Sequence, residues 1–220
     1  MESDRARVST PAFWEDLYGA GQDGWDLGEP APPLVAWLEA GKQFQAAAPA
    51  LPARVAVPGA GRGHDARLLA RHGYRVTAFD FAEPAVAEAR RLAAAEGVTI
   101  QVEARDVFTL HREHAEAFDA VWEYTCFCAI DPARRDEYAR VLHAILRPGG
   151  TLLACFYPLR EGTDGPPFPV SRDAIERALA GRFTVLEAGP PPRSVERRRG
   201  LEWLVRARRE PPGPSGPPDR

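Results

Sequence analysis

The stretch that most constrains this chain is Arg54-Val-Ala-Val-Pro-Gly-Ala-Gly-Arg-Gly-His-Asp65, where an apolar run enters three alternating glycines and then a segment of helical composition. Glycine has no Cβ, so it takes the positive-φ turns such a loop needs and leaves amide N–H groups facing a ligand at a helix N-terminus. Asp80 closes the next apolar run, Arg75-Val-Thr-Ala-Phe79. An acid at the tip of a second strand accepts hydrogen bonds from a ribose diol. Either signal alone is weak; together they indicate a nucleoside cofactor without saying which.

Apolar, strand-like runs alternate with segments of helical period, the pattern of a parallel sheet wound with helices. Strands are expected near 54–58, 75–80, 98–102, 118–123, 150–157, 182–188 and 201–207, the last two paired antiparallel. Helices are expected over 64–72, ending at Gly73, and over 83–96, with Pro84 in the first turn and Gly97 just past the end. After Asp131-Pro132, the residues Tyr138, Val141, Leu142, Ile145 and Leu146 repeat at helical spacing, and Pro148 stops the helix. A further helix opens at Ser171. The 220 residues suit one α/β domain over 41–209, preceded by a helical cover over 1–40 and followed by a disordered Pro/Gly-rich tail over 210–220. The cover holds Trp14, Trp25 and Trp37. Trp37 is read as packing, at helical spacing with Leu34 and Leu38, whereas Trp25, between glycines, is read as facing a ligand.

Composition excludes several chemistries. Lys42 is the sole lysine and is followed by Gln43, so a P-loop, a Schiff-base lysine and a Tyr-x-x-x-Lys dehydrogenase pair are all missing. A net charge of −3 favours neither nucleic acid nor an anionic membrane as partner. Three cysteines, and an N-terminus without an apolar leader, point to a soluble cytoplasmic protein acting on a small molecule, as a monomer or small homo-oligomer. Cys126, Cys128 and Cys155 miss metal-ligand spacing and are read as buried small side chains. His111 and His114 are read as a solvated face, Arg197–Arg199 as an exposed turn beside Glu196 and Glu202, and no metal site is expected.

The loop reads Gly59-Ala-Gly61-Arg-Gly63, with its third glycine one place early for a dinucleotide. Arg105-Asp106-Val107-Phe108 follows the third strand, Glu123-Tyr124 ends the fourth and Arg147-Pro-Gly-Gly150 precedes the fifth. This ordered set resembles the class I S-adenosylmethionine-dependent methyltransferases, which implies a Rossmann-like, seven-stranded, mostly parallel sheet with helices on both faces. Phe13-Trp14-Glu15, Gly24-Trp-Asp-Leu-Gly-Glu-Pro30, Glu123-Tyr-Thr-Cys-Phe-Cys-Ala-Ile130 and Gly165-Pro-Pro-Phe168 resemble the thiopurine methyltransferase superfamily, closest to its halide and thiol methyltransferase branch, over residues 11–208. The resemblance implies that Trp14, Tyr18 and Trp25 cover the cofactor, that Gly59, Gly61 and Gly63 form its loop, that Asp80 and Phe81 meet the ribose, that Asp106 and Val107 meet adenine, and that Glu123 joins this set. Tyr124 is implied as the catalytic candidate near the methyl, with Trp25, Phe127 and Tyr157 around the acceptor. Thiopurine-metabolising members typically carry arginine in place of Tyr124, which turns the expectation toward other acceptors.

Aromatic faces attract a sulfonium, and transfer to an anion is an in-line displacement that needs neither metal nor covalent intermediate. The expected activity is therefore methyl transfer from S-adenosylmethionine, leaving S-adenosylhomocysteine, to a thiol, hydrosulfide, thiocyanate or halide. The alternatives are a larger aromatic thiol, oxygen or nitrogen acceptor, or a module that binds the donor without turnover.

Overall fold

A computed structural model describes residues 2–44 and 52–210; the tail expected from 210 lies, apart from Glu210, outside the described residues. Seven strands form one sheet in the order β3-β2-β1-β4-β5-β7-β6. They are β1 (Arg54–Pro58), β2 (Arg75–Asp80), β3 (Gln101–Ala104), β4 (Phe118–Tyr124), β5 (Leu146–Phe156), β6 (Phe183–Gly189) and β7 (Trp203–Arg209), with β7 antiparallel to both neighbours and every other pairing parallel. The helices are α1 (Glu2–Arg7), α2 (Pro11–Gly19), α3 (Pro32–Glu39), α4 (His64–Arg71), α5 (Glu83–Ala95), α6 (Arg135–Ile145) and α7 (Arg172–Leu179). This is the Rossmann-like, seven-stranded, mostly parallel sheet expected, and none of these helices is long and apolar enough to cross a membrane.

Strand starts move at β3 and β5, the first for an identifiable reason. Val98 was expected to open β3, but its amide donates to the Ala93 carbonyl while Gly97, at φ +63°, donates to Ala94. These bonds satisfy orphan carbonyls of α5, so residues 97–98 finish the helix instead of starting the strand. At the other boundary, β5 begins at Leu146, which pairs with Phe118 before the ladder breaks register and resumes at Ala120 and Thr151.

Successive strand side chains alternate between faces, and both faces are covered, as a parallel sheet requires. Val55, Val57, Ala120, Trp122, Leu153 and Cys155 pack with α3, α4 and Phe44 on one side. Ala56, Val121, Leu152, Ala154 and Phe156 pack with α6 and α7 on the other. Trp37 is core, 4 % exposed. His114 is not solvated as expected: it lies against Phe79 and Phe118, with Nε2 3.0 Å from Glu103 Oε2, while His111 is exposed. Helix α7 starts where Ser171 Oγ accepts from the Ala174 amide, the N-cap bond its sequence suggests. Between β1 and β4 the winding reverses direction, and the carboxyl ends of the strands open into a crevice there.

Candidate active site

The glycine loop leaves β1 at this reversal. Gly59, Gly61 and Gly63 all have positive φ, at 60°, 53° and 70°. A Cβ on Gly59 would come within 2.8 Å of Cys126 Sγ and 2.9 Å of its Cβ, so side-chain volume is excluded there as well as strained. The Asp80 carboxylate braces the loop by accepting from the Gly61 amide at 2.8 Å and from the Ala82 amide at 3.0 Å. Burial in the cleft pushes its carboxyl above the usual range, while the amides at Ala82, Gly61 and Phe81 pull the other way.

The N-terminal segment forms a roof over this loop. Helix α2 buries none of its residues fully; its aromatic face turns to the cleft instead. Trp25 meets Trp14 and Tyr18 edge to face, each at 5.4 Å between ring centroids, and its Nε1 donates to the Tyr18 hydroxyl at 3.3 Å. The roof is pinned at three points. Arg62, in the glycine loop, pairs with Asp26 and, at 2.5 Å, with Asp23, and its guanidinium lies over the Tyr18 ring. His64 Nε2 stands 3.2 Å from Asp26 Oδ1. Asp65, at the start of α4, accepts from the Ala31 amide and from Trp122 Nε1, both at 2.7 Å, and so ties the entry of α3 to β4. Burial raises the Asp26 carboxyl, but bonds from His64, Arg62 and the Gly28 amide outweigh it and hold the group well below its ordinary range.

Two chambers lie beneath the roof. The larger, about 510 Å³, is lined by Trp14, Tyr18, Trp25, Gly59, Asp80, Phe81, Asp106, Val107 and Tyr157 among the residues named from the sequence. It continues to Val8, Cys128, Pro166, Arg197 and Arg198. The smaller, about 90 Å³, lies between Trp25, Asp26, Glu29, Gly59, Gly61, Arg62 and Tyr124. Tyr18, Trp25, Gly59 and Thr125 border both. Gly63, Glu123 and Phe127 are buried and line neither: Gly63 caps α4 against Ala89, and Phe127 packs on Phe156.

Sequence reading missed a buried node around Arg198 at the wall of the larger chamber. Arg198, expected in an exposed turn, is 2 % exposed, as is Glu202; only its neighbours Arg197 and Arg199 face solvent. Arg198 donates through Nη1 to the Tyr124 hydroxyl at 2.7 Å and through Nη2 to the Trp25 carbonyl at 2.9 Å. Its guanidinium also lies 5.2 Å from the Tyr124 ring and 4.8 Å from that of Tyr157. The Tyr124 hydroxyl donates in turn to Glu202 Oε1 at 2.6 Å, and its ring stacks on Trp122. Burial pushes that hydroxyl well above the usual tyrosine value; Arg198 lowers it and Glu202 raises it further. The residue pairs forming this node are 74, 78 and 173 positions apart, beyond any local pattern. The available signal was Glu202 itself, an acid opening an apolar strand and hence in need of a partner.

Behind the loop, Glu123 supports the turn that follows β4. Its Oε1 accepts from the Phe127 amide at 2.7 Å, whereas Oε2 is buried without a partner. Burial pushes its carboxyl up to about 7 against the pull of the Phe127 and Cys126 amides. A group raised on folding stabilises the protein below its unfolded pKa, and that contribution is lost as pH rises through the folded value. Between about pH 5 and pH 8, wild-type stability is therefore expected to fall by about 2 to 3 kcal/mol relative to Glu123→Gln, measured by urea unfolding. Cys126 and Cys128 line the larger chamber, and burial, reinforced by Glu123, lifts Cys126 well above the usual thiol value and Cys128 to about 12. Both stay protonated, so neither competes as a nucleophile.

Known proteins resemble this chain in sequence and in fold. A family model described as thiopurine S-methyltransferase matches residues 9–211. A probable thiol methyltransferase 2 of Arabidopsis thaliana is 33% identical over 199 residues, covering 88% of this chain and 83% of the relative. Thiocyanate methyltransferase 1 of the same plant is 29% identical over 197 residues, covering 88% and 82%. Among solved structures, the 1,6-didemethyltoxoflavin-N1-methyltransferase of Burkholderia thailandensis, with S-adenosylhomocysteine bound, is 25% identical with a TM-score of 0.70, covering 91% of this chain and 87% of that one.

Proposed function

The chain belongs to the thiopurine S-methyltransferase family, and from that premise we propose that it methylates a small soft nucleophile, a thiol, hydrosulfide, thiocyanate or halide, with S-adenosylmethionine as donor. The observation that carries this reading is an aromatic roof over the glycine loop facing a wall that holds the buried cation Arg198.

The chambers suit the donor on several counts. Asp106, Val107 and Phe108 border one end of the larger chamber, where adenine would lie, and Asp80 stands between them and the glycine loop. Its two oxygens offer about four acceptor sites, so capacity for a ribose diol remains beyond its amide bonds. Gly59 lets the ligand approach the backbone, and Trp14, Tyr18 and Trp25 offer π faces to a cation above it, each worth about 0.5 to 2 kcal/mol. The smaller chamber mixes the acids Asp26 and Glu29 with Arg62, a setting for a zwitterionic tail. When bound, the donor supplies an electrophilic methyl on a positively charged sulfur.

Around the acceptor the residues draw in, orient and dehydrate. Arg198 attracts negative charge toward the chamber shared with Tyr157, while Trp25, Val8 and Pro166 exclude water. A weakly solvating wall favours a transition state in which opposite charges cancel, and alignment alone contributes on the order of 7 to 11 kcal/mol. A cavity near 510 Å³ lies in the lower half of the range for small-molecule sites, roughly 300 to 1,000 Å³. Once the nucleoside is in place, the remaining space suits a small acceptor.

Purified protein given the donor with iodide, thiocyanate or a small thiol is expected to yield methyl iodide, methyl thiocyanate or a methyl thioether in headspace gas chromatography. Binding of S-adenosylhomocysteine with no product from any of these would reject the small-acceptor reading.

A further inference from the structure

Thr125 follows the end of β4 where the two chambers meet, and its backbone has φ +66°. Among the described residues one other non-glycine residue, Glu116, has positive φ, and it is exposed. For a β-branched side chain this conformation is an outlier that persists only where the surroundings enforce it. Here they do. The Thr125 carbonyl accepts from Cys128 Sγ at 3.1 Å, Glu123 Oε1 holds the Phe127 amide at 2.7 Å, and the Phe168 amide donates to the Cys128 carbonyl at 2.7 Å. Asparagine or glycine would take the same turn with less strain, so the turn itself does not call for threonine. The Thr125 hydroxyl bonds to no group among the described residues, yet it is not sealed in the interior. Of the other residues bordering both chambers, Gly59 has no side chain and Trp25 Nε1 already donates to the Tyr18 hydroxyl. That hydroxyl lies over the glycine loop, 3.2 Å from where a Cβ on Gly61 would stand. Thr125 is thus the polar side chain of the junction on the β4 side, and its O–H is unengaged.

We propose that the Thr125 hydroxyl donates a hydrogen bond to the anionic acceptor and holds it in line with the methyl group. This rests on the methyl transfer to small soft nucleophiles proposed above and adds the residue that orients the nucleophile. Arg198 brings positive charge to the larger chamber, but its Nη atoms already donate to Tyr124 and to Trp25. Attraction by charge has little direction, whereas a hydroxyl offers one donor along a preferred line. The bond is made to a lone pair other than the one that attacks carbon, and the proton stays on the Thr125 oxygen throughout. Strain and role are connected by geometry. Were residue 125 to continue β4, its side chain would follow the strand alternation onto one face of the sheet; the left-handed turn releases it to the junction.

Thr125→Val keeps the side-chain shape and removes the O–H, so acceptors that hydrogen-bond strongly should suffer more than those that do not. The assay compares a small thiol with iodide, a weak hydrogen-bond acceptor, at about pH 9.5, where a thiol of pKa about 8.5 is mostly thiolate. Thr125→Val is expected to lower the thiol-to-iodide ratio of kcat/KM about 10-fold or more, the factor carried by one hydrogen bond to a charged group. Thr125→Ser is expected to hold that ratio within about threefold of wild type. Thr125→Gly is expected to lose the ratio as valine does while unfolding at a higher urea concentration than wild type, because glycine takes positive φ without strain. A purely structural threonine would show no such opposition of stability and selectivity. Calorimetric binding of S-adenosylhomocysteine is expected within about threefold of wild type in all three variants; its loss in both Thr125→Val and Thr125→Ser would overturn the proposal by placing Thr125 in the donor site. An unchanged ratio in Thr125→Val, or thiol and iodide falling equally, would overturn it as well. Wild-type protein that binds S-adenosylhomocysteine but methylates neither iodide nor thiol would instead overturn the acceptor class on which the proposal stands.

Discussion

Replacement of Arg198 by methionine is expected to lower kcat/KM at least about 100-fold, the largest catalytic loss of any single change in the site. Two charge-assisted bonds disappear, to the Tyr124 hydroxyl and the Trp25 carbonyl, each worth roughly 1.5 to 3 kcal/mol. The contacts with the Tyr124 and Tyr157 rings go with them. Since Trp25 belongs to the roof and Tyr124 to the end of β4, Arg198 adds to the Arg62, His64 and Asp65 ties a direct link between the Trp25 segment and the sheet. The amides of residues 20–29 are therefore expected to exchange faster with deuterium in the variant. Arg198→Lys should not rescue it, because an ammonium is a point charge that cannot span both acceptors as the guanidinium fork does. Retained roof protection together with full activity in Arg198→Met would remove Arg198 from the mechanism.

Asp80→Ala is expected to weaken S-adenosylhomocysteine binding by about 100-fold or more in calorimetry, because one carboxylate does two jobs. It braces the Gly61 and Ala82 amides, and it faces the larger chamber as an acceptor. Hydrogen bonds to a charged group are worth about 1.5 to 3 kcal/mol each, so losing a ribose pair alone accounts for that factor. The same binding should weaken on acidification at a higher pH than an ordinary aspartate would give, since burial raises this carboxyl and only its ionised form accepts at both oxygens. Affinity within threefold of wild type in Asp80→Ala would displace the donor from this cleft.

What was legible in the sequence was local. A glycine loop after an apolar run, an acid at the next strand tip and a helix ended by glycine each follow from a few adjacent residues, and all appear at their expected places around Gly59, Asp80 and Gly97. Trp37 was readable as core from its spacing. Arg198 was not readable, because a run of arginines among glutamates is ordinarily a solvated turn, and only the fold brings Trp25 and Tyr124 to it; Glu202 left no more than the hint of an acid beside an apolar strand. His114 misled for the same reason: its charged neighbours in sequence are exposed, while its neighbours in space are two phenylalanines and a glutamate. The cleft thus divides by range, with the glycine loop and Asp80 written in short motifs and the Arg198 node assembled from contacts across the chain.

The most direct test of the whole arrangement is a crystal structure with S-adenosylhomocysteine bound. The sulfur is expected at the meeting of the two chambers, bordered by Gly59, Tyr18 and Trp25, with open space in front of it toward Arg198 and Tyr157. A sulfur enclosed by side chains on that side, or a cofactor seated away from Asp80 and the glycine loop, would contradict it.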